Sequence, residues 1–189
     1  MKQLQIAAAI ALAMGLGFAS HANAQSFNGG TITFTGTVTD DTCPVKGGAG
    51  TDGGANNFIV ALSAVNTSAL ATDGAVAGKK SFNVVIGGED TGCDTTKVAS
   101  MKFLATSPRV DATTGTLTNA LPGEATNTNI QLLDAADAVI NLADGSNSFS
   151  SAWVGDTATI TYAAQYKAIG GAATAGLVST SVVYSVEYK

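Results

Sequence analysis

Thr31-Ile32-Thr33-Phe34-Thr35-Gly36-Thr37-Val38 sets threonine against a mostly apolar partner at every second position. That period of two marks a β-strand with one face buried. The chain stops on a second such stretch, Val182-Val183-Tyr184-Ser185-Val186-Glu187-Tyr188-Lys189. In it Val182, Tyr184, Val186 and Tyr188 share a face. A strand at each extreme is what a subunit needs if it gives a strand to one neighbour and takes one from another. The expectation is a β-sandwich subunit that polymerises.

The first 24 residues read as a leader rather than as part of the fold. Lys2 is the charge of the n-region, Ile6 opens an uncharged and mostly apolar run to Ala19, and Ala22-Asn23-Ala24 is a cleavage site of the A-x-A kind. The run is too short to span a bilayer, and no later stretch is long and apolar enough. The mature product is therefore expected to be exported, with no direct membrane insertion. Its domains are a signal peptide over 1–24, an extension over 25–41 and one domain over 42–189. The roughly 165 mature residues suit a single domain and bury enough surface for a stable core.

Charge and histidine content exclude several functions. Nine Lys and Arg face fourteen Asp and Glu, for a net charge of −5, and loss of Lys2 makes the mature chain more acidic still. An acidic chain with no basic cluster argues against nucleic acid and anionic membranes as partners. The single histidine, His21, leaves with the leader. Without it the mature chain lacks the commonest general base and metal ligand. Ser-His-Asp and Cys-His catalysis and His-based metal sites are excluded, and neither a catalytic residue nor a cofactor is expected.

Two cysteines, Cys43 and Cys93, remain. An even count in an exported chain favours a disulfide. Closing a loop of about fifty residues stabilises by roughly 4 kcal/mol on the chain-entropy model. A redox pair would prefer C-x-x-C spacing, which is absent.

Gly, Thr, Ala, Ser and Asn dominate, and short β-rich runs alternate with Gly/Asp/Asn turns, as in sandwiches. Strands are predicted over 31–39, 57–62, 81–86, 102–106, 129–133, 138–142, 158–167 and 177–188. In the seventh, Ile160, Tyr162, Ala164 and Tyr166 share one face and Thr159, Thr161 and Gln165 the other. Asp94 is placed to cap a short helical turn reaching Ser100. No repeat and no interdomain linker is visible.

Other motifs dissolve on inspection. The glycine-rich stretch from Gly47 to Gly54 lacks the spacing of a phosphate cradle and reads as a plain loop. Glu89, Asp90 and Asp94 do not match a calcium loop and read as a solvated turn. Asp40 and Asp41 are adjacent strand residues on opposite faces, not a catalytic dyad. Asn66-Thr67-Ser68 is a formal glycosylation sequon. Trp153, Tyr162 and Tyr166 suggest a sugar-binding surface, although strand aromatics are more often core.

The C-terminal strand carries more weight. An immunoglobulin-like sandwich of seven strands needs one more strand after the sixth. If the chain lacks it, one row of backbone N–H and C=O groups stays unpaired, an edge that aggregates unless covered.

These features together resemble the structural subunits of chaperone–usher pili, close to type 1 fimbrial major subunits. Gly29 to Val38 followed by Cys43 is similar to the family's N-terminal extension and first strand. Ser81-Phe82-Asn83-Val84-Val85-Ile86 with Cys93-Asp94-Thr95 resembles the segment around the second cysteine. Ile130-Gln131-Leu132-Leu133-Asp134 and Tyr162-Ala163-Ala164-Gln165-Tyr166-Lys167-Ala168 resemble the mid-domain and penultimate strands. Tyr188 matches the family's penultimate tyrosine and Gly176 its glycine fourteenth from the end. Pro44 and the lengthened glycine-rich stretch depart from the pattern.

The resemblance implies an all-β, incomplete immunoglobulin-like β-sandwich lacking its last strand, completed by a donor strand from a neighbouring subunit. The donor residues would be Ile32, Phe34, Gly36 and Val38. The acceptor strand would carry Gly176, Val182, Tyr184, Val186 and Tyr188. Strand addition of this kind is an established mode of pilin assembly. The implied partners are identical subunits in a homopolymer, a periplasmic pilus chaperone that lends a strand, and an outer-membrane usher. The implied location is a cell-surface fimbrium reached through the periplasm. Two alternatives stay open: a minor or adaptor pilin of the same system, and a secreted monomeric carbohydrate-binding β-sandwich.

Overall fold

Strand order follows from where the apolar alternation is strongest. The longest strands are β2 (Val76–Gly87) and β9 (Thr157–Ala168). They pair antiparallel at the centre of the larger sheet, with Phe82 opposite Tyr162 and Val84 opposite Ile160. The computed structural model describes residues 43–89, 91–145 and 147–189. The predicted strand over 31–39 lies outside the described residues.

Around this pair the larger sheet runs β1-β2-β9-β5-β4, with β1 at Val45–Gly47, β4 at Leu117–Thr118 and β5 at Thr128–Leu133. Short strands β6 (Val139–Ile140) and β8 (Trp153–Val154) pair with β5 and β9. A smaller sheet has the order β10-β3-β7, from Tyr184–Tyr188, Ala99–Phe103 and Ser148–Ser151. Every ladder is antiparallel. The one helical segment among the described residues is a 3-10 turn, Thr67–Leu70. Asn66 of the sequon caps it by accepting from the Ser68 N–H at 3.0 Å.

The core lies between the sheets. From β2, β9 and β5 come Phe82, Val84, Ile86, Ile160, Tyr162, Ala164, Ile130 and Leu132; from β3 come Ala99, Met101 and Phe103. Tyr162 is the hub, with ring centroids 5.1 Å from Phe103, 5.5 Å from Phe149 and 5.7 Å from Phe82. These tilted and edge-on contacts suit aromatic quadrupoles. Burial pushes the Tyr162 phenol well above its ordinary pKa. Its hydroxyl meets no hydrogen-bond partner among the described residues. The predicted disulfide is present, joining Cys43 to Cys93 with Cα atoms 5.4 Å apart.

Several predicted strands shift for physical reasons. The stretch 102–106 becomes Ala99–Phe103, because β3 must run antiparallel to β10 with Ala99 opposite Tyr188. Leu104 to Ser107 then turns, with the Ser107 hydroxyl donating to the Leu104 carbonyl at 2.6 Å. After Asp94 the chain makes one turn, closed by the Lys97 N–H donating to the Asp94 carbonyl at 3.2 Å and capped by the Asp94 carboxylate, which accepts from the Thr96 N–H at 3.0 Å; it does not reach Ser100, because β3 begins at Ala99. The second face of β9 is also less polar in its surroundings than expected. Gln165 is buried and donates to Gln131, directly opposite on β5, at 2.8 Å. Strands β1, β4, β7 and β8 are only two to four residues long, too short for alternation to reveal them.

Gly78 (φ +69) sits in the register shift between Ala77 and Lys80, where a Cβ would press on Val65 and the Tyr166 ring. Glycine lets β2 kink there.

Candidate functional site

Two stretches predicted as strands are extended but have no strand beside them on one side. Along 57–62, Phe58, Val60 and Leu62 turn inward and pack on the core, while Asn57, Ile59 and Ala61 are exposed. Along 177–183, Val178, Thr180 and Val182 turn inward, while Leu177, Ser179, Ser181 and Val183 are exposed. Only Tyr184–Tyr188 of the predicted 177–188 strand lies in a ladder.

Main-chain hydrogen bonding explains why. In an extended chain, alternate residues point their N–H and C=O to opposite sides. Leu177 donates to the Glu124 carboxylate at 2.8 Å and accepts from the Asn119 side chain at 2.9 Å. Ser179 donates to Asn119 at 3.0 Å and accepts from the Ala120 N–H at 2.7 Å. Val183 donates to the Ser107 hydroxyl at 3.0 Å and accepts from the Leu104 N–H at 2.8 Å. The outer-edge groups of Leu177, Ser179 and Val183 are thus bonded. No hydrogen bond among the described residues reaches the main-chain groups of Val178, Thr180 or Val182.

The opposite wall repeats the arrangement. Ile59 donates to Asp52 at 2.9 Å and its carbonyl accepts from the Asp52 N–H at 3.1 Å. The Ala61 carbonyl accepts from Lys80 Nζ at 2.8 Å. The main-chain groups of Phe58, Val60 and Leu62 meet no partner among the described residues. Two rows of unpaired donors and acceptors therefore flank one groove of about 640 Å³. Its floor includes Phe82, Met101, Phe103, Ile130 and Leu132.

Among the lining residues none is Asp, Glu, Lys, Arg, His or Cys. Burial raises the phenol pKa values of Tyr166 and Tyr184, so both stay neutral. Outside the groove, main-chain N–H donors of Ile59 and Gly54 hold the Asp52 carboxyl below its ordinary value. What the groove offers is apolar surface and free main-chain hydrogen-bonding groups, the requirements of an extended peptide strand.

The acceptor residues expected from the sequence are spread along this wall. Val182 and Tyr184 line the groove. Val186 and Tyr188 lie further along β10, opposite Met101 and Ala99, and pack on the core. Gly176 sits where the wall begins, so close to the backbone of Glu124 and Ala125 that a Cβ has no room. Ile32, Phe34, Gly36 and Val38 lie outside the described residues. The opposite wall, Phe58, Val60 and Leu62, was legible as alternation but nothing in the sequence tied it to the site. Trp153, Tyr162 and Tyr166 form no shared platform. The Trp153 ring N–H donates to the Lys97 carbonyl at 2.7 Å, Tyr162 is core, and Tyr166 lines the groove.

A β-sandwich whose described residues leave one groove without a strand is the architecture of a pilus subunit, and comparison with known proteins identifies the class. A family model described as fimbrial protein matches residues 32–189. The major fimbrial subunit SMF-1 of Stenotrophomonas maltophilia is 37% identical over 85% of this chain and 92% of its own. The type-1 fimbrial protein A chain of Escherichia coli is 32% identical over 90% of each. A chain from a solved chaperone–usher pilus superposes with a TM-score of 0.55, covering 85% of this chain and 96% of that one at 19% identity; this last likeness bears on fold alone. The chain belongs to the fimbrial protein family and is a structural subunit of a pilus.

Proposed function

We propose that the groove is filled by residues 31–38 of a second copy, so that subunits link head to tail by donor-strand exchange. The observation that carries this reading is the pair of unpaired main-chain rows, Phe58, Val60 and Leu62 facing Val178, Thr180 and Val182. One inserted strand satisfies both. Three apolar donor side chains, Ile32, Phe34 and Val38, contribute roughly 5–8 kcal/mol before ordering costs. Each ladder hydrogen bond adds about 1 kcal/mol net. Because the link is heterologous and does not close on itself, it propagates as a filament.

The same open edge explains the need for an escort. Before assembly it would recruit stray strands. A periplasmic chaperone lends a strand to it, and an outer-membrane usher exchanges that strand for the next subunit's extension. The subunit reaches the cell surface by this route and serves adhesion as a structural part without catalysis.

The test is direct. A synthetic peptide of residues 31–38, added to the purified mature protein, is expected to raise its stability by about 2.7 kcal/mol at a hundredfold excess over Kd. A scrambled peptide leaves it unchanged. In cells, Phe34→Asp is expected to block incorporation while chaperone binding persists. No thermal response to the peptide, together with normal filaments from Phe34→Asp, would sink the proposal.

A further inference from the structure

The end of the sandwich that carries Cys43 is open and partly apolar. The Pro44 carbonyl accepts from the Gly87 N–H at 2.8 Å. The Trp153 ring lies over Gly87, where a Cβ would press on it. Its ring N–H is tied to the Lys97 carbonyl at 2.7 Å, and the Cys43–Cys93 disulfide holds the same loop to the start of the domain. Trp153 and Val98 line a cleft of about 420 Å³ there. Val154, next along the chain, is 80% exposed, the most of any large apolar residue described, and Val98 is 50% exposed. Apolar side chains grouped in this way mark a surface that another body covers.

The chain itself limits what that body is. Only residues 39–42 separate Val38 from Cys43. Such a link reaches no more than about 18 Å. With Val38 in the groove of a second copy, the mouth of that groove stands within this reach of Cys43. A folded domain is broader than that, so the two copies meet end to end. The mouths of the groove differ. At one, the Tyr184 hydroxyl bonds the Asn56 carbonyl across the opening at 2.6 Å, which obstructs a short link and the domain behind it. At the other lies Leu177, 67% exposed.

Resting on the donor-strand reading above, we infer that Val98, Trp153 and Val154 of each subunit seat against Leu177 of the copy whose groove its extension fills. The strand makes the link, and this joint sets the angle between successive domains. A link over 39–42 without such a contact leaves the domains free to swing.

Trp153 is the only tryptophan in the chain, so its fluorescence reports the joint. Acrylamide quenching of the mature protein bound to the 31–38 peptide is compared with that of its filaments. The peptide fills the groove and brings no second domain. The expected quenching constant is several-fold lower in filaments. Equal quenching overturns the joint while leaving donor-strand exchange standing. Failure of the unmodified chain both to bind the peptide and to form filaments counts against the donor-strand reading itself. Crosslinking then identifies what covers the tryptophan. Val154→Cys, at a site too exposed to disturb the core, is combined with Leu177→Cys or, as a control, with Val139→Cys on β6, and filaments are treated with a short bismaleimide. A ladder of covalent oligomers several-fold stronger from the Leu177 pair is expected. A ladder mainly from the Val139 pair, or none from either, overturns the joint.

Discussion

The Tyr184 hydroxyl donates to the Asn56 carbonyl at 2.6 Å, and the bond spans the two walls of the open groove at one end. The Phe58 ring lies beside it, 6.0 Å between centroids. An incoming strand that runs on toward β10 has to part this clasp. Tyr184→Phe keeps the ring and removes the bond. The cost to stability is expected to be no more than about 1 kcal/mol, while the donor peptide binds several-fold faster. Stopped-flow association measures it, and an unchanged rate would show that the clasp does not gate entry.

Tyr162 presents the opposite case. Its hydroxyl is buried at the centre of the aromatic cluster, without a partner among the described residues. Tyr162→Phe removes a polar atom and keeps the packing, so the midpoint of urea unfolding is expected to stay level or rise by the equivalent of up to about 1 kcal/mol. Tyr162→Ala opens a cavity and is expected to cost about 3–5 kcal/mol. A large loss from the phenylalanine variant would mean that the hydroxyl is bonded in solution.

Gly176 holds the start of the acceptor wall against the backbone of Glu124 and Ala125. Gly176→Val forces those segments apart and disturbs the bonds from Leu177 to Glu124 and Asn119. A loss of about 1–3 kcal/mol is expected, with weaker peptide binding at unchanged peptide composition. Calorimetry on variant and wild type reads both quantities. Wild-type binding by a destabilised variant would separate the glycine from the groove.

Asp52 ties the other wall through the N–H groups of Ile59 and Gly54, which lower its pKa. A depressed carboxyl contributes its stabilisation above the unfolded value, and loses it as pH falls through the folded value. Donor-peptide affinity is therefore expected to be flat between about pH 5 and 8 and to weaken below about pH 4. Asp52→Ala should bind weakly at neutral pH and lose the acid dependence. An acid response that persists in Asp52→Ala would point to another carboxylate.

Much of the fold was visible in the residues themselves. The run from Ser81 to Ile86 and the alternation Ile160, Tyr162, Ala164 appear in β2 and β9, because their buried face is continuous and long. The cysteine pair was legible from count and compartment. The short strands were not, since two residues carry no period. The turn after Asp94 stops at Lys97 rather than reaching Ser100, because the ladder between β3 and β10 claims the chain from Ala99 onward.

The amino-acid order by itself determined that 57–62 and 177–183 are extended with one apolar face, since side-chain direction in a strand is a property of neighbouring residues. Only the tertiary structure decided that these two stretches stand on either side of one groove, with Ile59, Leu177, Ser179 and Val183 bonded on the outside and the inner-edge groups without partners among the described residues. The two walls lie more than a hundred residues apart in the chain, and the second is held by Asn119 and Ser107, 60 and 76 residues away from the groups they bond. Local sequence holds no record of which main-chain groups such distant side chains will reach.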